Sequence, residues 1–223
     1  MISLKKQSAC GSWAAVTVTR VITLTYDQRP TRLTFVAMAG LSPSHSPKGA
    51  DIHGDNVWEC HTEPVLACCY SKTGETVVAA SHDKSLSVWN AKGQLLKKLE
   101  GGHTSAIYWC ALSPDLETVA SASHDETLKL WNLAEGRWFA NLRGHEAPVR
   151  SCDFSPDGKL LASASYDKTC KIWEIDGTRC IQTLKGHRGM VRSVNFAPNG
   201  ELQSLHPAVA LFLYLSVSVC PSL

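Results

Sequence analysis

The stretch that decides the fold is LASASYDKTCKIW, which runs from Leu161 to Trp173. It predicts a short strand, a tight polar turn at Asp167 and a second strand that ends on tryptophan. The pattern occurs twice more, as TVASASHDETLKLW at 118–131 and as TVVAASHDKSLSVW at 76–89. Such an internal repeat predicts a solenoid or propeller architecture.

The repeat has a period of 42 residues, and four kinds of residue keep it without a slip. It relates the tryptophans, aspartates, histidines and cysteines at Trp89, Trp131 and Trp173; Asp83, Asp125 and Asp167; His61, His103, His145 and His187; and Cys68, Cys110 and Cys152. Because several residue types share one period, these positions are expected to be structurally equivalent.

The composition permits a substantial core and indicates no nucleic-acid surface. The chain has 223 residues, is 44% hydrophobic and carries a formal net charge of +2. Residues 1–50 contain six Lys/Arg and one acid, whereas residues 51–200 contain sixteen Lys/Arg and eighteen acids. A near-neutral repeat region without a basic stripe favours protein partners, so nucleic acid is not an expected partner.

The repeat explains the spacing of the nine cysteines better than disulfide or metal chemistry does. The three periodic cysteines lie in strand-like runs and are interpreted as small buried apolar side chains. The chain has no C-x-x-C motif, and an odd total argues against complete disulfide pairing. A metal site at Cys60, His61, Cys68 and Cys69 is the alternative. We expect no metal or cofactor and a reducing, intracellular compartment, cytoplasmic or nuclear.

Each repeat contains four strand-like runs between turn signals. In the third repeat these are VRSCDFS, LLASAS, TCKIWEI and CIQTL, within 149–184. Four short strands, with Gly-His near one end and tryptophan near the other, favour a β-propeller over a sandwich or barrel. These residues resemble the WD-repeat family, in which each repeat makes one four-stranded blade. The terminal dipeptide is Trp-Asn at 89–90 and 131–132 and Trp-Glu at 173–174.

The predicted fold is therefore all-β, a partial β-propeller of four-stranded blades that covers residues 55–200. The 42-residue repeats are expected at about 61–102, 103–144 and 145–186, with a partial repeat from 187. A closed propeller has about four to eight blades. Three full repeats and the start of a fourth are therefore expected to leave open blade ends through which the chain self-associates.

The resemblance implies a structural relay inside each blade. Aspartate accepts from the histidine ring, histidine binds a serine hydroxyl, and serine accepts the indole N–H, so each buried polar group has a partner. The relay residues are then His61, Asp83, Trp89, His103, Ser121, Asp125, Trp131, His145, Ser163, Asp167 and Trp173. Ser123 and Ser165 lie on the same strand face and stay alternatives. In the first repeat Ala79 replaces the serine, so Ser81 is the predicted hydroxyl and that blade is expected to be the weakest.

The resemblance also implies a partner-binding rim around the central channel. It comprises the residue before each turn aspartate and the residue after the first apolar residue of each inner strand. In this chain these rim residues are Leu66, His82, Tyr108, His124, Arg150, Tyr166 and Arg192. Tyrosine and arginine are enriched in binding hot spots. Arg150 and Arg192 are equivalent, so an acidic peptide that bridges them is an expected partner.

The two ends of the chain depart from the repeat. Residues 1–54 include a Thr/Val alternation around DQRP that predicts a β-hairpin or, alternatively, poorly ordered sequence, followed by a Ser/Pro-rich linker. The pattern stops after Gly200, since Val209 and Leu215 occupy the places of aspartate and tryptophan. Residues 201–223 form an apolar tail, whose apolar run PAVALFLYLSVSVC at 207–220 is shorter than the ~20 residues of a membrane span. We interpret the chain as a truncated or alternatively spliced product.

The repeats predict a non-catalytic scaffold that mediates protein–protein interactions through the rim. A hydrolase needs one Ser-His-Asp set, whereas this chain repeats the set three times, and it contains no P-loop or dinucleotide fingerprint. One alternative is a substrate-receptor subunit of a cullin-type ubiquitin ligase, for which WNAK at 89–92 partly matches Trp-Asp-x-Arg. The other is a non-catalytic fragment of a larger enzyme or regulatory protein.

Overall fold

The computed structural model describes residues 21–23, 33–36, 57–58, 60–200, 202–205 and 213–215. Every regular element in these residues is a β-strand, which confirms the all-β prediction. Among the same residues, no helix is long and apolar enough to cross a membrane. The chain divides into two compact units, Met1–Cys60 and His61–Leu223.

The first unit contains a three-stranded antiparallel sheet. Its strands are Val21–Thr23 (β1), Leu33–Val36 (β2) and Val57–Trp58 (β3), with β2 in the middle. β1 and β2 pair in the region where the Thr/Val alternation predicts a hairpin. The DQRP turn and the Ser/Pro-rich linker lie outside the described residues.

The second unit contains three four-stranded antiparallel sheets, one for each complete repeat. The first blade consists of Val65–Tyr70 (β4), Thr76–Ser81 (β5), Leu86–Asn90 (β6) and Leu95–Leu99 (β7). The second consists of Ile107–Leu112 (β8), Thr118–Ser123 (β9), Leu128–Asn132 (β10) and Arg137–Leu142 (β11). The third consists of Val149–Phe154 (β12), Leu160–Ser165 (β13), Cys170–Glu174 (β14) and Arg179–Leu184 (β15). Strands adjacent in sequence pair with each other, so every blade is a meander.

A fourth sheet continues beyond the point where the repeat pattern stops. Its three strands are Ser193–Phe196 (β16), Leu202–Leu205 (β17) and Leu213–Leu215 (β18), paired in that order. β17 and β18 lie within the segment 201–223 that the residue pattern places outside the repeats. The strand pairing therefore extends past residue 200, although no relay aspartate or tryptophan follows it.

The core lies between consecutive sheets. The inner strand β8 packs against β4 and β12, and β12 packs in turn against β16. One apolar cluster joins the first two blades and includes Val78, Leu86 and Ile107. A second cluster joins the second and third blades through Leu128 and Leu161, among others. Adjacent blades of the second unit therefore bury the faces that they share, as expected for repeats that cannot fold singly.

The tight turn between the first two strands of each blade contains a residue in the left-handed conformation. This residue is Gly74 (φ 70°), Leu116 (φ 65°) and Gly158 (φ 75°) in the three blades. Glycine adopts this conformation without the steric cost that a Cβ atom imposes. The second blade therefore holds a leucine where its two neighbours have glycine.

Candidate functional site

The relay side chains of each complete blade form a continuous hydrogen-bonded chain. In the second blade, His103 Nδ1 lies 2.8 Å from Asp125 Oδ2, and His103 Nε2 lies 2.7 Å from Ser121 Oγ. Trp131 Nε1 donates to the same hydroxyl at 2.7 Å. The third blade has the same three bonds, at 2.6, 2.7 and 2.8 Å, among Asp167, His145, Ser163 and Trp173.

The carboxylate determines which ring nitrogen of the histidine carries the proton. Because the Asp125 carboxylate can only accept, His103 Nδ1–H donates to it; with Nδ1 as the protonated ring nitrogen, Nε2 is the acceptor for the Ser121 hydroxyl. The serine oxygen in turn accepts the indole N–H. Ser121 is 0% exposed, so this chain of bonds satisfies groups that water does not reach.

The first blade completes the relay with a serine on another strand. His61 Nδ1 lies 2.9 Å from Asp83 Oδ2, and His61 Nε2 lies 2.7 Å from Ser87 Oγ. Trp89 Nε1 donates to Ser87 Oγ at 2.8 Å. All three blades therefore have the same set of bonds.

The prediction of Ser81 as the first-blade hydroxyl is wrong. Ser81 Oγ donates to two backbone carbonyls of the preceding loop, at 3.0 and 3.1 Å. Ser87 lies directly opposite Ala79 in the β5–β6 pairing, as Lys129 lies opposite Ser121 in the second blade. The hydroxyl is thus exchanged across a strand pair, which keeps its place in space but not its offset in sequence.

Each turn aspartate accepts several hydrogen bonds besides the one from histidine. Asp167 Oδ2 also accepts from Glu146 N at 3.1 Å, and Oδ1 accepts from Thr169 N and Oγ1 at 2.8 and 2.7 Å. Burial raises the pKa of Asp167, but the bonds from Thr169 and His145 outweigh it and hold that pKa below its usual value. For the histidine the effect of burial has the opposite sign: burial lowers the pKa of His145 and outweighs the hydrogen bond with Asp167, which raises it. The residue two positions after each turn aspartate carries the hydroxyl that donates to it: Ser85, Thr127 and Thr169. These residues keep the 42-residue period, a signal in the sequence that the relay prediction did not use.

The glycine before the relay histidine makes room for the relay tryptophan. A Cβ atom added at Gly102 would lie 2.5 Å from Trp131 Cη2. This distance is far below van der Waals contact. The Gly-His dipeptide of the repeat is therefore a steric requirement of the buried indole in this blade.

Three of the predicted rim residues lie at β-bulges. In the inner strands the pairing passes from residue 65 to 67, from 107 to 109 and from 149 to 151. The extra residues are Leu66, Tyr108 and Arg150. A bulge leaves its residue out of the ladder and redirects the side chain. The residue pattern of the strands does not predict these bulges.

The bulges bring rim residues of adjacent blades into contact. Tyr108 and His124 make an edge-on ring contact with centroids 5.7 Å apart. Arg150, on the next blade, places Cζ 5.1 Å from the centre of the Tyr108 ring and donates from Nη1 to Tyr108 O at 3.3 Å. Burial and the neighbouring Tyr166 raise the pKa of Tyr108 against the effect of Arg150. These four residues form what we call the rim cluster.

The other predicted rim residues are more separate. Leu66 is half-buried, and His82 and Arg192 are exposed. Within residues 60–200, no side-chain hydrogen bond or ring contact joins these three to the rim cluster. The structure therefore assembles part of the predicted rim into one group.

The cysteines of the second unit show no metal-site geometry. Among the described residues, no group of three or more His, Cys, Asp or Glu side chains is placed to hold a metal ion. The seven cysteines in the described part of the chain form no disulfide. Burial, with a smaller effect of Cys69, raises the pKa of Cys68 to about 12. Cys68 is therefore a protonated thiol at neutral pH.

Comparison with known proteins points to one family. The family model of the WD domain, G-beta repeat, matches residues 55–90, 93–132, 136–174 and 178–211. The solved structure of U3-55K is similar, with a TM-score of 0.63 and 20% identity, over 66% of this chain and 46% of that one. The RRP9 WD40 repeats give a TM-score of 0.62 with the same identity and coverage. The chain thus spans less than half of either structure, and such identity shows a shared fold. No curated protein matches the chain.

Proposed function

The chain belongs to the WD-repeat family, and from this premise we propose that it is a non-catalytic scaffold that binds a protein partner through the rim cluster. The family and the propeller-like blades support an interaction role. The observation that carries the proposal is the contact of Tyr108 with His124 and Arg150, which joins two blades at residues released from strand pairing.

The chemistry of the rim cluster favours an acidic peptide segment as the ligand. An arginine has five N–H donors, and one nitrogen of Arg150 binds Tyr108 O. The rest of the guanidinium suits a carboxylate, which it can bind through two parallel bonds. The tyrosine and histidine rings add apolar area with few rotatable bonds. Arg192 would provide a second positive charge one repeat further along.

The relay supports a structural role for the Ser-His-Asp sets. Ser87, Ser121 and Ser163 are each 0% exposed, and each already accepts an indole N–H. A nucleophile must be reachable by a substrate, and here three equivalent hydroxyls are enclosed by the blade. We infer that these sets link strands rather than cleave bonds.

The thiols support a reducing compartment inside the cell. Cys110 and Cys152 are buried, and no disulfide occurs among the described residues. The side-chain hydrogen bond with Cys69, followed by burial, raises the pKa of Cys110 well above the usual value, and burial raises that of Cys152 in the same way. Free buried cysteines are typical of intracellular proteins. Self-association through open blade ends and the cullin-receptor role stay predictions.

The proposal is tested by capture of partners with the purified full chain, read by quantitative mass spectrometry. Tyr108→Ala and Arg150→Ala should each lower the captured amount of the main partner at least tenfold, as for hot-spot residues worth about 2 kcal/mol. The matched controls are Tyr70→Ala and Arg179→Ala, because both side chains are exposed and lie away from the rim cluster. Equal capture by the rim variants and the controls would show that the rim is the wrong face.

A further inference from the structure

A cavity of about 340 Å³ opens beside the second-blade relay and is lined in part by Lys129. The volume is roughly ten times that of a water molecule. Lys129 is only 5% exposed. Its Nζ lies 4.1 Å above the centre of the Trp138 ring, a cation–π contact. We refer to this space as the Lys129 cavity.

The ammonium of Lys129 has no hydrogen-bond acceptor among the described residues. A buried charge is costly unless it is paired and hydrogen-bonded. The carboxylate of Asp125 lies nearby and favours the charged ammonium, but its oxygens already accept bonds from His103, Thr104 N and Thr127. Burial lowers the pKa of Lys129, and the neighbouring Arg143 acts in the same direction.

The equivalent positions in the other blades do not have this property. In the third blade, Lys171 Nζ donates to Thr183 Oγ1 at 2.9 Å. In the first blade the position is Ser87, which belongs to the relay. In the second blade the position of Thr183 is Asn141; with its amide turned so that the oxygen faces the Arg143 donors, that oxygen accepts from Arg143 Nε and Nη2 at 2.8 and 3.2 Å. Two of these three blades have a lysine at this position, and of the two only Lys129 has no hydrogen-bond acceptor among the described residues.

The groups that line the cavity with Lys129 suit an anion. Arg143 adds a second positive charge to the lining, and Thr104 is a further polar lining residue. Asp125 and Glu126 also line the cavity; the Asp125 oxygens accept bonds from His103, Thr104 N and Thr127, and Glu126 is exposed. Arginine and lysine together are the usual cationic donors to phosphate and carboxylate groups.

We propose that the Lys129 cavity is a binding site for an oxyanion, a phosphate or carboxylate group, held by the Lys129 ammonium and the Arg143 guanidinium. The anion supplies the acceptor that the Lys129 ammonium lacks among the described residues. The space exceeds that of one such group, so it admits the group together with the chain that carries it. The site goes beyond the rim proposal, because it uses other residues and does not depend on partner binding there.

The test is a ¹H–¹⁵N NMR titration of the full chain, which follows the backbone amides of Thr104 and Thr127. The probes are inorganic phosphate, N-acetyl-phosphoserine amide and N-acetyl-glutamate amide, so the separate titrations distinguish a free ion from a side-chain phosphate or carboxylate. We expect saturable shifts with at least one probe. Lys129→Met should weaken that binding at least tenfold.

The matched control is Lys171→Met, which changes the equivalent lysine that already has an acceptor; its affinity should stay within twofold of the wild type. Arg143→Gln changes an exposed residue and tests the site even if Lys129→Met does not fold; it should weaken binding at least threefold. The proposal is overturned if no probe gives saturable shifts, or if Lys129→Met, or Arg143→Gln in its place, binds as tightly as the wild type.

Discussion

Removal of the Ser87 hydroxyl tests the exchange of the relay serine between strands. In Ser87→Ala, the imidazole Nε2 of His61 loses its donor and the indole N–H of Trp89 loses its acceptor. Each of these two lost hydrogen bonds costs about 1–3 kcal/mol when the group that it satisfied stays buried. We therefore expect the free energy of unfolding to fall by about 2–4 kcal/mol, near the upper end for single substitutions.

A second substitution should restore the lost stability. Ala79 faces Ser87 across the β5–β6 pair and is 0% exposed. Ala79→Ser combined with Ser87→Ala places the hydroxyl where the second blade has Ser121. The double variant should lie within about 1 kcal/mol of the wild type, so the two changes are strongly coupled.

Urea unfolding followed by far-UV circular dichroism measures the loss, and the m-value shows whether the transition keeps its size. The indole N–H resonance of Trp89 reports on the bond itself. A loss below about 0.5 kcal/mol in Ser87→Ala, or a double variant no more stable than Ser87→Ala alone, would refute the exchange of hydroxyls across the strands.

Three further predictions concern pH, backbone strain and thiol reactivity. Burial lowers the pKa of His145, and hydrogen bonds hold the pKa of Asp167 low despite its burial, so both groups bind more protons in the unfolded state. The stability that His145 contributes should be fully present above a pH of about 6.5 and decrease below it, and the contribution of Asp167 should decrease below a pH of about 3.9. Unfolding curves measured across pH test both changes. Leu116→Gly should raise the free energy of unfolding by about 0.5–1 kcal/mol, since glycine adopts the left-handed backbone conformation at this position without the strain of a leucine. Gly158→Ala, at the equivalent position of the third blade, should lower the free energy of unfolding. Exposed Cys180 should react with iodoacetamide in the native protein, whereas Cys152 should stay unmodified because it is buried and burial raises its pKa. Peptide mass analysis measures the labelling, and equal labelling of the two cysteines would contradict the packing.

The sequence predicts the fold well because the repeat displays it three times. Glycine, histidine, aspartate and tryptophan recur at fixed offsets, and each has one local structural role; Gly102, for example, leaves space for the Trp131 side chain. Strand order follows from short turns, which allow only a meander. The fourth sheet extends further than the motif, since backbone pairing of β17 and β18 does not require the relay residues.

The candidate sites are only partly predictable, because they depend on distances between strands. The relay of the second and third blades follows from offsets, whereas Ser87 replaces the serine by occupying the same space from the opposite strand. The rim positions follow from the family pattern, but the bulge at Arg150 appears only in the pairing register. The buried ammonium of Lys129 has no sequence signal, since Lys171 occupies the same offset and has an acceptor.

The bulges of the inner strands separate three side-chain positions from the strand pairing on which each blade depends. Leu66, Tyr108 and Arg150 stand outside the hydrogen-bond ladder, so a change of side chain there leaves the strand pairing of each blade in place, although it alters the contacts within the rim cluster. Natural variation or directed selection can therefore vary these three positions together while the relay keeps each blade intact. The scaffold is accordingly a starting point for combinatorial libraries in which one residue per blade is randomised to select new ligands.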